Sequence, residues 1–359
     1  MQEVSENSFE VFLNEHDEAM WAQAIAGVLP FVHEVDQAAV QIWFAFYPLA
    51  LARALRDAED PAQLAKRLQL QGKYELKDGI DSSHEFLYAH RFWPEVKKAV
   101  TEHAAAFKPT DSPTLEAEIR RIAGKVSAAL KKDESLLTGI TAIALMTLQQ
   151  VGIDAFKSAT EATAKKRKGD KRSPEQILKQ RAKDDGQGLL GFLKTTDMRW
   201  TVKFDESDPQ AKFKVMHMQE LASGAAEDKR DWRGVDPRRV EGPIPVECRS
   251  AACGTCWVGV LGGAEKLSDV TRREGKNIKE FGYIETNEAK PLIRLACVAQ
   301  SAGAVSIVIP PWNGVFGKFL KAQHGGAGVG DNNNDDDAGS DSNADLPSNN
   351  ALTNDARTK

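Results

Sequence analysis

Between residue 8 and about residue 158, apolar positions return every three to four residues, the period of helices that bury one face. Proline marks where those helices open. Asp60-Pro61, Ser112-Pro113 and Ser173-Pro174 each pair a side-chain acceptor with a proline whose missing N–H costs nothing in a first helical turn. Asp81-Ser82-Ser83 supplies a similar cap ahead of an expected helix over residues 84–93, and Pro94 is placed to open the next. No alternating pattern interrupts this half and no repeat of fixed period runs through it. Residues 8–158 therefore predict an all-α helical bundle of about six or seven helices.

The period changes further along. Residues 200–204 and 213–218 alternate apolar with polar, and residues 255–261 and 304–309 are short runs rich in Val and Ile, as expected of strands. Residues 197–321 thus read as an α+β domain, and the chain as multidomain. Residues 159–196 between the halves concentrate charge at Lys165-Lys166-Arg167-Lys168 and Lys171-Arg172, and their short helix lacks a continuous apolar face. They read as a basic linker, and without interleaved aromatics no nucleic-acid partner is expected. Residues 322–359 are Gly, Asn, Asp and Ser with almost nothing to bury, the composition of a disordered acidic tail. The glycine run at 325–330 belongs to that tail and lacks the flanking strand and helix of a phosphate-cradling loop.

Composition narrows the reading. At 359 residues and 42% hydrophobic content, the chain has material for two cores. Its formal net charge of -5 equals the surplus of seven Asp over Arg357 and Lys359 in the tail, so the remainder is neutral and any electrostatic recognition must come from local patches. The first ten residues are polar and acidic, which predicts no export signal and a cytoplasmic location. Residues 38–52 contain Gln41 and Pro48, and residues 135–153 contain three Thr and two Gln; both predict buried core helices rather than membrane spans.

All four cysteines fall within one stretch: Cys248, Cys253 and Cys256 in the spacing C-x4-C-x2-C, then Cys297 after a gap of 40 residues. In a reducing compartment such clusters hold metal more often than they form disulfides. Four thiolates with this spacing suit a 2Fe-2S centre: three ligands converge from a wrapped loop, in which Gly254 permits close approach, and the fourth arrives from elsewhere. The alternative is a four-thiolate zinc site, although zinc favours two short-spaced pairs.

The residues Cys248-Arg-Ser-Ala-Ala-Cys253-Gly-Thr-Cys256 resemble the cluster loop of plant-type 2Fe-2S ferredoxins, and Arg294-Leu-Ala-Cys297 resembles the segment that brings their fourth ligand. The resemblance covers about residues 199–320. It implies a β-grasp fold, Cys248 and Cys253 on one iron, Cys256 and Cys297 on the other, and a low reduction potential. Three features depart from the family. Ala251 stands where the family usually has Gly, and is expected to fit with negative φ. The insert over residues 265–285 is charged and carries Arg272, Arg273, Lys276 and Lys279, a place for partner docking. Residues 219–241 replace a compact helix and turn with a longer charged stretch.

Elsewhere, His16, His33, His84, His90 and His103 form no Glu-x-x-His pattern and read as structural. The aromatics of the helical half read as core. No G-x-G-x-x-G follows a strand, so a flavin or nicotinamide domain is not visible and a self-contained reductase is not expected. The expected function is one-electron transfer through a single 2Fe-2S cluster to or from a protein partner, a reductase or oxidoreductase, with the helical domain as docking module. The alternative is a cluster-based redox sensor that regulates the helical domain.

Overall fold

The computed structural model describes residues 7–108, 113–159, 171–184, 198–281 and 290–315. The expected tail over 322–359 and the lysine-rich segment 165–168 lie outside the described residues.

The first half is built from α1 (Ser8–Asn14), α2 (Glu18–Val28), α3 (Glu34–Phe46), α4 (Leu49–Arg56) and α5 (Pro61–Arg67), then α6 (Trp93–Ala106), α7 (Leu115–Leu130), α8 (Ser135–Val151) and α9 (Ile153–Ser158). Its axis is α8, apolar all round and packed against α1, α3, α6 and α7. Of the polar residues noted within α8, Thr138, Thr147, Gln149 and Gln150 are hydrogen-bonded inside the protein, whereas the buried Thr141 hydroxyl has no partner among the described residues. Thr147 donates to the Ile143 carbonyl at 2.7 Å, and Gln149 accepts from Trp21 Nε1 at 2.5 Å while donating to Leu13 and His16 carbonyls. Asp60 caps α5 as its sequence predicts. At α7, Ser112 lies outside the described residues, and Thr114 caps the helix by accepting from Ala117 N.

Residues 84–93 depart from the expected helix, forming turns and a short 3-10 segment, Tyr88–Phe92, ahead of α6. Tertiary bonds compete with the local cap. Asp81 accepts from Trp93 Nε1 and Lys97 Nζ, both at 2.7 Å, and buried Asp36 on α3 takes the N–H groups of Tyr88 and Ala89 at 2.7 and 2.9 Å. Nor is this half all-α: the strand β1 (Gln71–Gly72) pairs antiparallel with a strand from the far end of the chain, and the helices are more numerous and shorter than the periodicity suggests.

The second half carries β2 (Arg199–Lys203), β3 (Lys212–Met216), β4 (Gln219–Glu220), β5 (Trp257–Gly262), β6 (Ile293–Leu295), β7 (Gln300–Ser301), β8 (Val305–Val308) and β9 (Trp312–Asn313). Preceding and interleaved with these are α10 (Pro174–Ala182), α11 (Leu221–Ala225) and α12 (Arg272–Phe281). The main sheet runs β3-β2-β8-β5-β6, with β2 and β8 parallel and the other neighbours antiparallel. Its four longer strands lie where the sequence places them. β6 was not foreseen, because three residues are too few to show a period.

The halves share one hydrophobic core. β5 alternates its side chains between two faces, and on one of them Trp257 meets Phe46 of α3 edge-on at 5.3 Å and Trp312 at 5.6 Å. On that same face Gly259 lets α3 close in, since a Cβ there would stand 2.5 Å from Ile42 Cγ2. Trp312 Nε1 donates to the Phe46 carbonyl at 2.5 Å. The helix expected within a solvated linker, α10, is packed as well: Ile177 is buried, and Arg181 holds Glu206 through two bonds at 2.8 and 2.9 Å while reaching the Val35 carbonyl. One stretch, Glu34–Arg56, has the length and composition of a membrane span, but the chain breaks at Tyr47-Pro48 and most of it is buried in this core.

Candidate metal centre

The cysteine loop, residues 248–256, has no regular secondary structure and lies between the irregular 226–247 stretch and β5. Its shape comes from left-handed backbone at Arg249 (φ 53°), Ala251 (φ 58°) and Gly254 (φ 71°). Ala251 thus corrects the expectation of negative φ. It sits buried in a conformation that suits glycine, at a cost of about 1 kcal/mol. What the turn achieves is to aim peptide N–H groups at sulfur. Ser250 and Ala252 donate to Cys248 Sγ at 3.5 and 3.3 Å, and Ala251 donates to Cys297 Sγ at 3.3 Å. Gly254 is required where it stands, because a Cβ would lie 2.8 Å from the Phe281 ring.

Cys297 comes from the turn after β6. Ala296 N bonds the Cys256 carbonyl at 2.9 Å, and the first N–H groups of α11, Leu221 and Ala222, bond Ala299 and Ala296 carbonyls at 2.9 Å. The four thiols are free of disulfides; thiol hydrogen bonding joins Cys248 with Cys253 and Cys256 with Cys297, and charge also links Cys256 to Cys253 and Cys297 to Cys248. Burial opposes ionisation of Cys248, yet the Ser250 and Ala252 N–H groups prevail and pull its thiol down to about 6. Burial raises Cys253. In the second pair the Cys256 thiol bonds to Cys297, which raises Cys256 and lowers Cys297. Each pair therefore holds one readily ionised sulfur.

This pairing bears on the two metals considered. A mononuclear zinc needs four donors on one centre, whereas a 2Fe-2S cluster takes two thiolates at each of two irons. Two thiol pairs with N–H donors aimed at sulfur fit the second.

The surroundings contain residues whose part in the site the sequence did not disclose. Arg294 and Glu274, both with fully buried side chains, form a bidentate ion pair at 2.9 and 3.1 Å, and Glu274 also accepts from Leu295 N at 2.9 Å. This ties the insert helix α12 to β6, two residues before Cys297. Asn277 of α12 donates to the Ala251 carbonyl, and Asn313 of β9 donates to the Thr255 carbonyl. The charged insert was legible and its helix was not, although Thr271-Arg-Arg-Glu274 is a capping-box pattern. Thr271 does accept from Glu274 N at 3.1 Å, while the Glu274 side chain is taken by Arg294.

Two of the histidines, His84 and His90, meet in the helical half, away from the cysteines. His84 is fully buried, its Nδ1 lies 2.9 Å from His90 Nδ1, and its ring is tilted against that of Trp93 with centroids 3.9 Å apart; burial holds it well below the usual histidine range. A cavity of about 560 Å³ opens beside His90 and Trp93.

Residues 237–301 match the family of 2Fe-2S iron-sulfur cluster binding domains, in the C-terminal part of the chain. That domain binds a 2Fe-2S cluster. No curated protein and no solved structure matches the chain.

Proposed function

We propose that Cys248 and Cys253 hold one iron of the cluster, that Cys256 and Cys297 hold the other, and that the chain is a one-electron carrier or a subunit of a larger redox system. The observation that carries this is the loop that aims the Ser250 and Ala252 N–H groups at Cys248 Sγ and the Ala251 N–H at Cys297 Sγ, within the residues that match 2Fe-2S cluster binding domains. When bound, the cluster supplies a single one-electron centre. The chain's own residues do the rest. The N–H groups of Ser250, Ala251 and Ala252 stabilise added negative charge on sulfur, which favours the reduced state, and buried Cys256 and Cys297 keep half of the site from water. The protein partner is a reductase or oxidoreductase that meets the exposed side of the loop, where Arg249, Ser250 and Ala252 face solvent. The helical half serves as a fixed docking module for the larger system, and Met20 and Phe31 stand exposed on its outer side.

The sensor reading has one observation in its favour: Asn313 bonds the cysteine loop from a strand, β9, that also pairs with β1 of the helical half. Anaerobically purified protein should contain iron and acid-labile sulfide in equal amounts, absorb broadly in the visible, and give a paramagnetic signal on one-electron reduction. Zinc in place of iron overturns the assignment. Loss of the signal in each Cys→Ser variant supports the four ligands. Hydrogen exchange at residues 71–72 that changes between the oxidised and reduced forms favours the sensor over the carrier.

A further inference from the structure

We propose that the outer face of α12 is the docking surface for the redox partner, and that the surface it accepts there is acidic. The proposal rests on the carrier reading above.

The helix has two unlike sides. Glu274, Asn277, Ile278 and Phe281 turn inward, binding Arg294, the Ala251 carbonyl and the space under Gly254. Arg272, Arg273, Lys276 and Lys279 recur at helical spacing on the other side and are exposed. Among the described residues, none of these four forms an ion pair. Among the described residues, other charges close to the cysteine loop have partners: Arg249 pairs with Glu241, Glu247 accepts from Thr255 Oγ1 at 3.0 Å, and Lys290 pairs with Asp269 at 2.7 Å. The acid on α12's inner side, Glu274, is consumed by Arg294. What remains beside the loop, among the described side chains, is a cluster of cations without acidic partners on the helix that holds the Ala251 peptide, whose N–H reaches Cys297 Sγ.

Position makes this cluster more than a solvated face. The chain outside the acidic tail is neutral, so no overall field steers a partner, and a local patch within a Debye length of the exit edge sets the sign of attraction. An acidic surface seated on α12 stands next to Ala252 and Ser250, the exposed side of the loop.

The sign is measurable with small oxidants of opposite charge. Reduced holoprotein is mixed with ferricyanide or with hexaamminecobalt(III) over a range of salt. In the first case one electron passes to ferricyanide and yields ferrocyanide, with no proton transfer and no bond made or broken. The ferricyanide rate should fall with added salt and drop about tenfold in K276E/K279E at low salt. The exposed control K132E, on the turn between α7 and α8, should keep the parental rate. A faster low-salt reaction with the cobalt cation, an unchanged rate in K276E/K279E, or an equal drop in K132E overturns the proposal. A loss of rate in K276E/K279E that shows up only after residues 322–359 are removed assigns the face to the chain's own tail and overturns the partner assignment. A second readout does not depend on the cluster: an octaglutamate peptide whose carboxylates are activated by a water-soluble carbodiimide, which takes up the lost water as its urea, should form amides with Lys276 or Lys279, and adducts confined to other lysines overturn the proposal. Failure of the carrier reading itself is distinguishable, since it shows as a redox-dependent change in hydrogen exchange at residues 71–72, which neither oxidant rate reports.

Discussion

Two contacts around β5 are built in opposite ways. Where the strand meets the helical half, the parts are apolar: Ile42 against Gly259, Phe46 edge-on to Trp257, Trp312 beneath both, with one hydrogen bond from Trp312 to a carbonyl. Just before the same strand, the cysteine loop is polar and conformationally costly. It relies on N–H···S bonds, on Asn277, on the buried Glu274–Arg294 pair, and on two non-glycine residues at positive φ. Water exclusion stabilises the first contact without any ligand. In the second, four thiols must lose protons side by side, and only metal offsets that repulsion. The molecule thus carries a metal-dependent loop on a sheet clamped by metal-independent packing.

The comparison breaks most visibly on removal of the cluster. Chelation, or Cys256→Ser, should raise hydrogen exchange through residues 241–257 while residues 39–46 keep their protection. Equal loss in both regions would show that the apolar contact also depends on metal. Next in size, Glu274→Ala should destabilise the holoprotein by about 3–5 kcal/mol, because Arg294 is left buried without its partner. A lowered temperature for bleaching of the visible absorption checks this, and a shift under a degree would refute it.

A third test lies in the helical half. Burial raises the Asp36 carboxyl to about 6, against two N–H bonds and Arg181 that pull it down. A raised carboxyl stabilises the fold fully below its unfolded value near 4, and that contribution disappears as pH climbs through 6. The loss amounts to about 3 kcal/mol between pH 4 and 7. In chemical denaturation followed by far-UV dichroism, Asp36→Asn should remove this slope relative to the parent; identical slopes would place the titration elsewhere. Smallest is Ala251→Gly. Relief of about 1 kcal/mol of left-handed strain exceeds the added chain entropy, for a net gain of about 0.5 kcal/mol. A loss of stability there would mean that the buried methyl is worth more than the strain it causes.

Legibility in the sequence followed the range of the forces. Asp60 and Ser173 were readable as caps because the groups they satisfy lie three residues away. The expected helix over 84–93 failed because its N–H groups are taken by Asp36, more than fifty residues distant. The linker helix α10 lacked a continuous apolar face, yet Arg181 anchors it through Glu206 and Val35, partners invisible to any local pattern. Ala251 was read as fitting at negative φ; its actual backbone follows from where its N–H and carbonyl must point, toward Cys297 and Asn277.

The sequence by itself determined the four cysteines, their spacing and hence the kind of centre that the C-terminal part binds, because three of the donors sit within nine residues and carry their geometry in the chain. It also determined the helical and strand-forming halves, whose periods differ over many residues. Only the tertiary structure decided that the halves share one core, that α12 presents four cations beside the loop while Glu274 is consumed beneath it, and that Ala251 lies in left-handed backbone. Each of these depends on partners tens to hundreds of residues apart, and residue pattern records which face a segment buries, not what it is buried against.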